Sequence, residues 1–367
     1  MKILHFFKTY LPDNFAGVER VIWNICESTH VLGVESDVLS LSATPPAEPL
    51  PVRHHTAHHA RQDLYLASTG LSVSVFAKFA RMAQQADIVH FHFPWPMMDL
   101  VNLFVRPKSA TVVTYHSDII KQEVLAKLYA PLMHQFLGRI DHIVATSPNY
   151  VRTSSVLQRY AAKTSVIPIG IEPVKILPQP KLLERWRKLV GEHFFLFVGA
   201  PRYYKGLEYL LAAARQTGLP VVIAGADEAE VFSDTRLRPA NVAVVGRISD
   251  DDKEALLSLS RAFVFPSHLR SEAFGVALLE AARVGRPMIS CEIGTGTSYV
   301  NLDGQTGLVI RPQSVEALCV AMQKLANDKD LSEAMGAAAK QRFTAEFTSR
   351  TMGRRYFDLY NQLLRSR

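Results

Sequence analysis

The chain has 367 residues, 48% hydrophobic and 20% charged, with a net charge of +7 and a pI near 9.2. This length exceeds one ordinary core and predicts two domains, and the composition excludes a disordered chain. No run approaches the roughly 20 apolar residues of a membrane span, no cleavable signal opens the sequence, and Cys26, Cys291 and Cys319 show no paired spacing, so a cytoplasmic protein without disulfides or thiolate metal sites is expected. The positive charge favours an anionic partner. Without a zinc finger, an aromatic RNA-binding signature or a Lys/Arg block, that partner is not nucleic acid but a phosphorylated small molecule or an acidic membrane face.

In chain order, a strand-like run at 3–7 leads through a loop to a helix expected at 17–31, and Gly17 at its start allows an anion to approach the helix N-terminus. Further runs lie at 37–41, 88–91, 111–115 and 142–146. His54, His55, His58 and His59 read as a loop cluster with no acidic or cysteine partner, which argues against a metal there. His90 and His92 fall at strand spacing and are assigned to opposite faces, with one of them buried. His116 follows the run 111–115 and is expected to face a crevice, although a lone histidine is more often structural. Residues 119–139 place Ile119, Ile120, Val124, Leu125, Leu128, Leu132 and Phe136 beside Lys121, Lys127 and Arg139. Such a segment either packs on the sheet or lies in an anionic membrane interface, and periodicity does not separate the two.

After 165–171, the proline-bearing stretch 172–180 marks a domain boundary. A second series of runs occupies 194–199, 220–225, 242–246, 262–266, 287–291 and 307–310. Apolar runs separated by helices predict parallel sheets, hence an α/β chain of two doubly wound, Rossmann-like domains at 1–171 and 172–349. Ligands of such sheets bind beyond the carboxyl ends of the strands, which places function in a crevice between facing halves. Helices within 314–364 are expected to cover the second domain, the last of them, about 350–367, being a candidate to return to the first.

Two segments of the second half carry the most chemistry. In 197–206, Arg202 and Lys205 follow a strand, where cations aimed at a departing diphosphate would stabilise its growing charge; the bland alternative is a solvated basic turn. In 266–281, Glu272 precedes a helix and Glu280 lies two turns inside it among apolar residues, so Glu280 requires a sugar diol or a cation. The amides of Phe274, Gly275 and Val276 open that helix and suit a diphosphate. Alternatively, Glu272 serves the helix dipole and Glu280 a structural ion pair. No Asp-x-Asp follows a strand, and Asp328, Asp330 and the run 250–252 sit at expected helix starts, so no metal is predicted and no cofactor is needed beyond the donor.

The segment from Glu272 to Glu280 resembles the E-x7-E motif of glycosyltransferase family 4, whose members are retaining enzymes with the GT-B fold. The resemblance implies that Glu272 contacts the donor sugar and Glu280 the nucleotide ribose. Lys205-Gly206 matches the family's Lys-Gly helix start, but the arginine usual after the strand-end glycine is Ala200 here, and Arg202 is its replacement. The segment 245–249 resembles the one that meets the nucleobase through backbone at Arg247, His116 matches a histidine beside the donor sugar and reacting centre, and the loop 10–20 resembles a glycine-rich loop in which Ala16 replaces one glycine before Gly17. The phrases 4–10, 113–118 and 292–299 are similar to bacterial mannosyl- and D-rhamnosyltransferases of O-polysaccharide assembly, including that of a D-rhamnan common antigen. This implies a GDP-sugar donor, a lipid-linked saccharide acceptor, a metal-independent front-face transfer, and weak attachment to the inner face of the cytoplasmic membrane. The alternatives are an epimerase of the same fold and a noncatalytic nucleotide-sugar-binding protein.

Overall fold

The computed structural model describes residues 1–66, 69–119, 123–173, 178–232 and 238–367, and the side chains at 123–127 are not among them. The chain forms two compact units, Met1–Glu172 with Thr348–Arg367, and Pro173–Phe347. The second unit thus ends two residues before the expected 349.

The first unit holds β1 (Lys2–Phe6), β2 (Glu35–Ser42), β3 (Leu50–Val52), β4 (His55–Arg61), β5 (Leu64–Leu66), β6 (Thr69–Leu71), β7 (Ile88–Phe93), β8 (Ala110–Tyr115), β9 (His142–Ala145) and β10 (Thr164–Val166). Eight of them form one sheet in the order β10-β9-β8-β7-β1-β2-β4-β3, parallel except for β3 against β4. Every residue of β7 and β8 is buried, as expected of strands covered by helices on both faces. The hairpin β5–β6 stands apart from this sheet.

The second unit holds β11 (Phe195–Val198), β12 (Val221–Ala224), β13 (Val242–Val244), β14 (Ala262–Phe265), β15 (Met288–Cys291) and β16 (Gly307–Ile310), all parallel in the order β13-β12-β11-β14-β15-β16. This is the doubly wound order in which the sheet grows one way from its first strand and then the other, opening a crevice where the direction reverses. The reversal falls between β11 and β14 here and between β1 and β7 in the first unit.

Ser314, Asp328 and Thr348 cap the helices Val315–Asn327, Lys329–Glu346 and Ser349–Arg365 by accepting the amide three residues on, each such cap contributing about 1 kcal/mol. Ser249 does the same for Asp250–Leu259, so the acidic runs at 250–252 and 328–330 stand at helix starts. The last helix belongs to the first unit: Ser349 donates its amide to the Ile171 carbonyl (2.9 Å) and its hydroxyl to Glu172 (3.2 Å). It packs on the helix Gly17–His30, where Gly353 leaves room for Ser28. Within the helix Glu123–Arg139, Met133, Phe136 and Leu137 are buried and the Phe136 ring meets that of Phe91 edge-on at 5.3 Å, whereas Leu128 is 74% exposed. The expected stripe is therefore divided; Ile120 and Lys121, and the side chains of Val124, Leu125 and Lys127, lie outside the described residues.

Gly206 ends the loop after β11 with φ +69, and a Cβ there would collide with the Pro266 carbonyl oxygen beyond β14. Only glycine satisfies both demands at little cost. Gly206→Ala is expected to lose about 1–2 kcal/mol to the left-handed backbone and a further ~1–3 kcal/mol to the displaced carbonyl, read as a lower denaturation midpoint; an unchanged midpoint would show that the two loops part freely.

Candidate active site

In the second unit, the loops after β11 and β14 are joined at several points. The His268 amide donates to the Tyr204 carbonyl (2.9 Å), and the Lys205 amide closes a turn onto the Arg202 carbonyl (2.9 Å). Between the loops, Lys205 Nζ lies 2.5 Å from Glu272 Oε2, the two side chains being 15% and 13% exposed. The ammonium also stands 4.4 Å from the centre of the Phe265 ring, an added attraction for a cation. Ser267 reaches the same carboxylate oxygen at 3.5 Å, and the Glu272 carbonyl accepts from the Thr295 hydroxyl (2.8 Å). Charges this far withdrawn from water require such partners. Burial and then the Glu272 charge push the Tyr204 phenol up, while Arg202 opposes them, so both charged groups act on this loop. Arg202 is exposed, as is Ala200 directly after the strand-end Gly199.

Gly275 adopts φ +85 before the helix Val276–Arg283, and the first amide returned into that helix is Leu278, to the Gly275 carbonyl (2.9 Å). A first helical turn leaves its leading amides without intrahelical partners, and those of Phe274, Gly275 and Val276 are at this end. Glu280 accepts from the buried Lys253 Nζ at 2.8 Å, and Lys253 also reaches Asp250 at 2.8 Å. Burial pulls the Lys253 ammonium down, but Glu280 and Asp250 outweigh it and hold it above its ordinary range. Of the two partners Glu280 required, a diol or a cation, the structure supplies the cation. Sequence reasoning missed Lys253, whose one signal was its place behind three aspartates at a helix start. The Arg247 side chain turns to Asp227 (2.6 Å) and Glu230 (2.9 Å), leaving its backbone beside Gly246, whose carbonyl accepts from Gly225 (2.8 Å).

In the first unit, Gly17 opens its helix at φ +39. Glu19 follows in the first turn and is buried, accepting from Asn14 (2.8 Å) and from the Thr9 hydroxyl, so a carboxylate already meets this helix end. His116 is buried just past β8, with its Nε2 3.0 Å from His92 Nδ1. His90 and His92 do not occupy opposite faces. Residues two apart in a strand share a face, and both rings are buried with their centres 4.4 Å apart. His90 bonds to the Tyr360 hydroxyl and to Thr114 Oγ1, each at 2.7 Å.

The histidines at 54–59 also differ from expectation. His55, His58 and His59 are on strand β4, and they have acidic partners: Glu27 meets His54 (2.7 Å) and His55 (2.9 Å), and Asp37 meets His58 (3.1 Å). The carboxylates come from a helix and a strand far back in sequence, which spacing within the cluster could not reveal. Among the described residues, the compact group suited by residue type to a metal is instead His5, His90 and His92, with one nitrogen of each within 4.8 Å of the others.

The second unit therefore gathers Arg202, Lys205 and Glu272 around two joined loops, with the amides of 274–276 following on the second loop, while Gly17 and His116 belong to the first unit. Residues 179–342 match the family described as glycosyl transferases group 1, and residues 15–175 match glycosyltransferase family 4. The chain is 51% identical to D-rhamnosyltransferase WbpZ of Pseudomonas aeruginosa over 353 residues, 95% of this chain and 93% of that one. It is 45% identical to O-antigen chain mannosyltransferase C of Escherichia coli over 100% of both chains. Sucrose-phosphate synthase of Thermosynechococcus elongatus superposes with a TM-score of 0.79 at 20% identity, covering 100% of both chains. HepE of Anabaena, solved in complex with UDP-glucose, superposes with a TM-score of 0.76 at 16% identity, covering 99% of this chain and 100% of the other. The chain is thus a glycosyltransferase of family 4, built from the two Rossmann-like domains of the GT-B fold.

Proposed function

We propose that this enzyme transfers mannose or D-rhamnose from a GDP-sugar to a lipid-linked saccharide in O-polysaccharide assembly, without a metal and with retention of anomeric configuration. The observation that carries the reading is the Lys205–Glu272 pair between the two loops at the strand-order reversal, where a doubly wound sheet takes its ligand. The sugars named for the two full-length relatives support mannose or rhamnose.

The donor occupies the second unit. Its diphosphate meets Lys205, Arg202 and the amides of Phe274, Gly275 and Val276, its ribose Glu280, its base the backbone at Arg247, and its sugar hydroxyls Glu272. As the glycosidic bond breaks, negative charge grows on the leaving diphosphate, and fixed cations stabilise that state more than the ground state. Glu272 is a poor nucleophile because its carboxylate is held by Lys205, which favours attack and departure on one face over a covalent intermediate. The first unit takes the acceptor and contributes Gly17 and His116 to the transfer. His116 acts as a neutral imidazole, its pKa pushed down by burial to about 3.

Radiolabelled GDP-mannose and GDP-D-rhamnose offered with lipid-linked acceptors should give a product with the donor's anomeric configuration by NMR, equally with and without EDTA. An inverted linkage, or activity that EDTA abolishes and magnesium restores, would overturn the mechanism, and an epimer formed without acceptor would mark the epimerase alternative. Lys205→Ala should slow turnover about 30- to 1000-fold, the equivalent of ~2–4 kcal/mol in the transition state. Near-normal turnover in the folded variant would remove Lys205 from the site.

The lipid-linked acceptor places the enzyme peripherally on the inner face of the cytoplasmic membrane. No described helix is long and apolar enough to cross a membrane, and the exposed Leu128 and Arg139 are described residues of the helix 123–139 available to an interface. Each Lys or Arg near an anionic leaflet contributes about 1 kcal/mol, so sedimentation with anionic vesicles should occur at low salt and fade at high salt. Indifference to anionic vesicles, with equal turnover of a soluble acceptor, would overturn the membrane assignment.

A further inference from the structure

Three imidazoles step across neighbouring strands at the reversal of the first sheet: His5 on β1, His92 on β7 and His116 beyond β8. His5 Nδ1 lies 3.1 Å from His92 Nε2, and His92 Nδ1 lies 3.0 Å from His116 Nε2. All three are buried, and burial is the main reason each ring stays neutral; it takes His5 and His116 down to about 3 and His92 well below its ordinary value. A neutral imidazole has one N–H and one lone pair. The two hydrogen bonds must therefore run in the same direction, which leaves two arrangements.

If His116 donates through Nε2, the chain ends in an N–H on His5 Nε2, an atom that is buried and has no partner. If His5 donates instead, His92 passes its own Nδ1–H to His116 Nε2, and only a lone pair is stranded at His5. Orphaned buried N–H groups are rarer than under-used acceptors, so the second arrangement holds. It puts the remaining proton of His116 on Nδ1, which makes no hydrogen bond among the described residues but, unlike His5 Nε2, is not sealed off: His116 keeps 7% of its surface exposed where His5 keeps none, so water or a ligand can accept that proton. His90 takes no part, both of its nitrogens being engaged with Tyr360 and Thr114.

We propose that His5 and His92 are positioning residues that lock His116 as an Nδ1–H donor to an oxygen of the sugar substrate. This rests on the role given to His116 in the proposed transfer, but the lock is read without substrate. Ring 15N–13C spectra of the whole protein, with the His116 resonances identified by their loss in His116→Gln, should show a protonated Nδ1 and a bare Nε2. A protonated Nε2 would overturn the proposal, as would a stoichiometric metal in the purified protein, because a cation among His5, His90 and His92 would take lone pairs the chain uses.

His92→Phe should mix the His116 tautomers and lower kcat about tenfold, one hydrogen bond's worth, with KM for the donor unchanged. At the far end, His5→Asn keeps a donor near the Nδ1 position and should retain the wild-type spectrum and rate, whereas His5→Leu should lose both. A packing role predicts the reverse, since leucine suits a buried apolar site better than asparagine. Mixed tautomers with unchanged turnover would overturn the role in catalysis. Wild-type protein that shows the lock but transfers no sugar would count against the proposed function instead.

Discussion

Each sheet is built outward from its first strand in two directions, and the chemistry of both units depends on that reversal. Crossover helices on either side of the reversal go to opposite faces, so the strand ends between them are left open to a ligand. In the second unit these are the ends of β11 and β14, and in the first those of β1 and β7. Gly199, Lys205, Ser267 and Glu272 follow the first pair of strands, and His5, His92 and His116 stand at or beside the second. A polar side chain placed there is largely withdrawn from water, and it must find a partner in the protein or leave a costly orphan.

The two units meet this demand with different chemistry. The second uses ion pairs, Lys205 with Glu272 and Lys253 with Glu280. Breaking one partner from such a pair strands a charge, so each pair fixes the position of the other group. The first unit uses neutral groups: burial keeps the histidines uncharged, and they hydrogen-bond to one another and to the hydroxyls of Thr114 and Tyr360, with Thr114 reaching on to the Tyr356 hydroxyl. For the proposed transfer this division is physically apt. Fixed charge lies where an anionic diphosphate would leave, and neutral hydrogen-bonding groups lie in the unit that would bring an uncharged hydroxyl.

The alternation of apolar runs and helical patterns was enough to read both parallel sheets and the break after 171, because strands buried on both faces leave continuous hydrophobic stretches. The short strands β3 to β6 left no such signal: they are three to seven residues long, and two of them form a hairpin outside the main sheet. Lys205, Gly206, Glu272 and Glu280 were legible because each pair of motif residues is close in sequence. Their partners were harder to see. Lys253 is 27 residues from Glu280, and Glu27 is 28 from His55; such pairs require the sheet order before they can be drawn. The misplacement of His90 and His92 on opposite faces was of another kind, since a strand's period of two already puts them together.

The departure at position 200 acquires a physical meaning from the pair beside it. Lys205 carries one positive charge and Glu272 one negative, 2.5 Å apart, so at the distance of an approaching ligand they nearly cancel. In the proposed transfer, the attraction for the donor's diphosphate would then come from elsewhere. The helix beginning at Val276 offers roughly half a positive charge at its N-terminus, which is little against a doubly charged group. The family's arginine after the strand-end glycine would add a full charge, but this chain has Ala200 there. Arg202 is exposed on the same loop and close enough to act on Tyr204, and it can supply that charge without a buried partner to neutralise it. Once a donor is bound, sugar hydroxyls can take over the carboxylate of Glu272, and Lys205 is then free to turn its charge to the leaving group. In the proposed transfer Arg202 would draw the donor in, and Lys205 would act chiefly when the bond breaks.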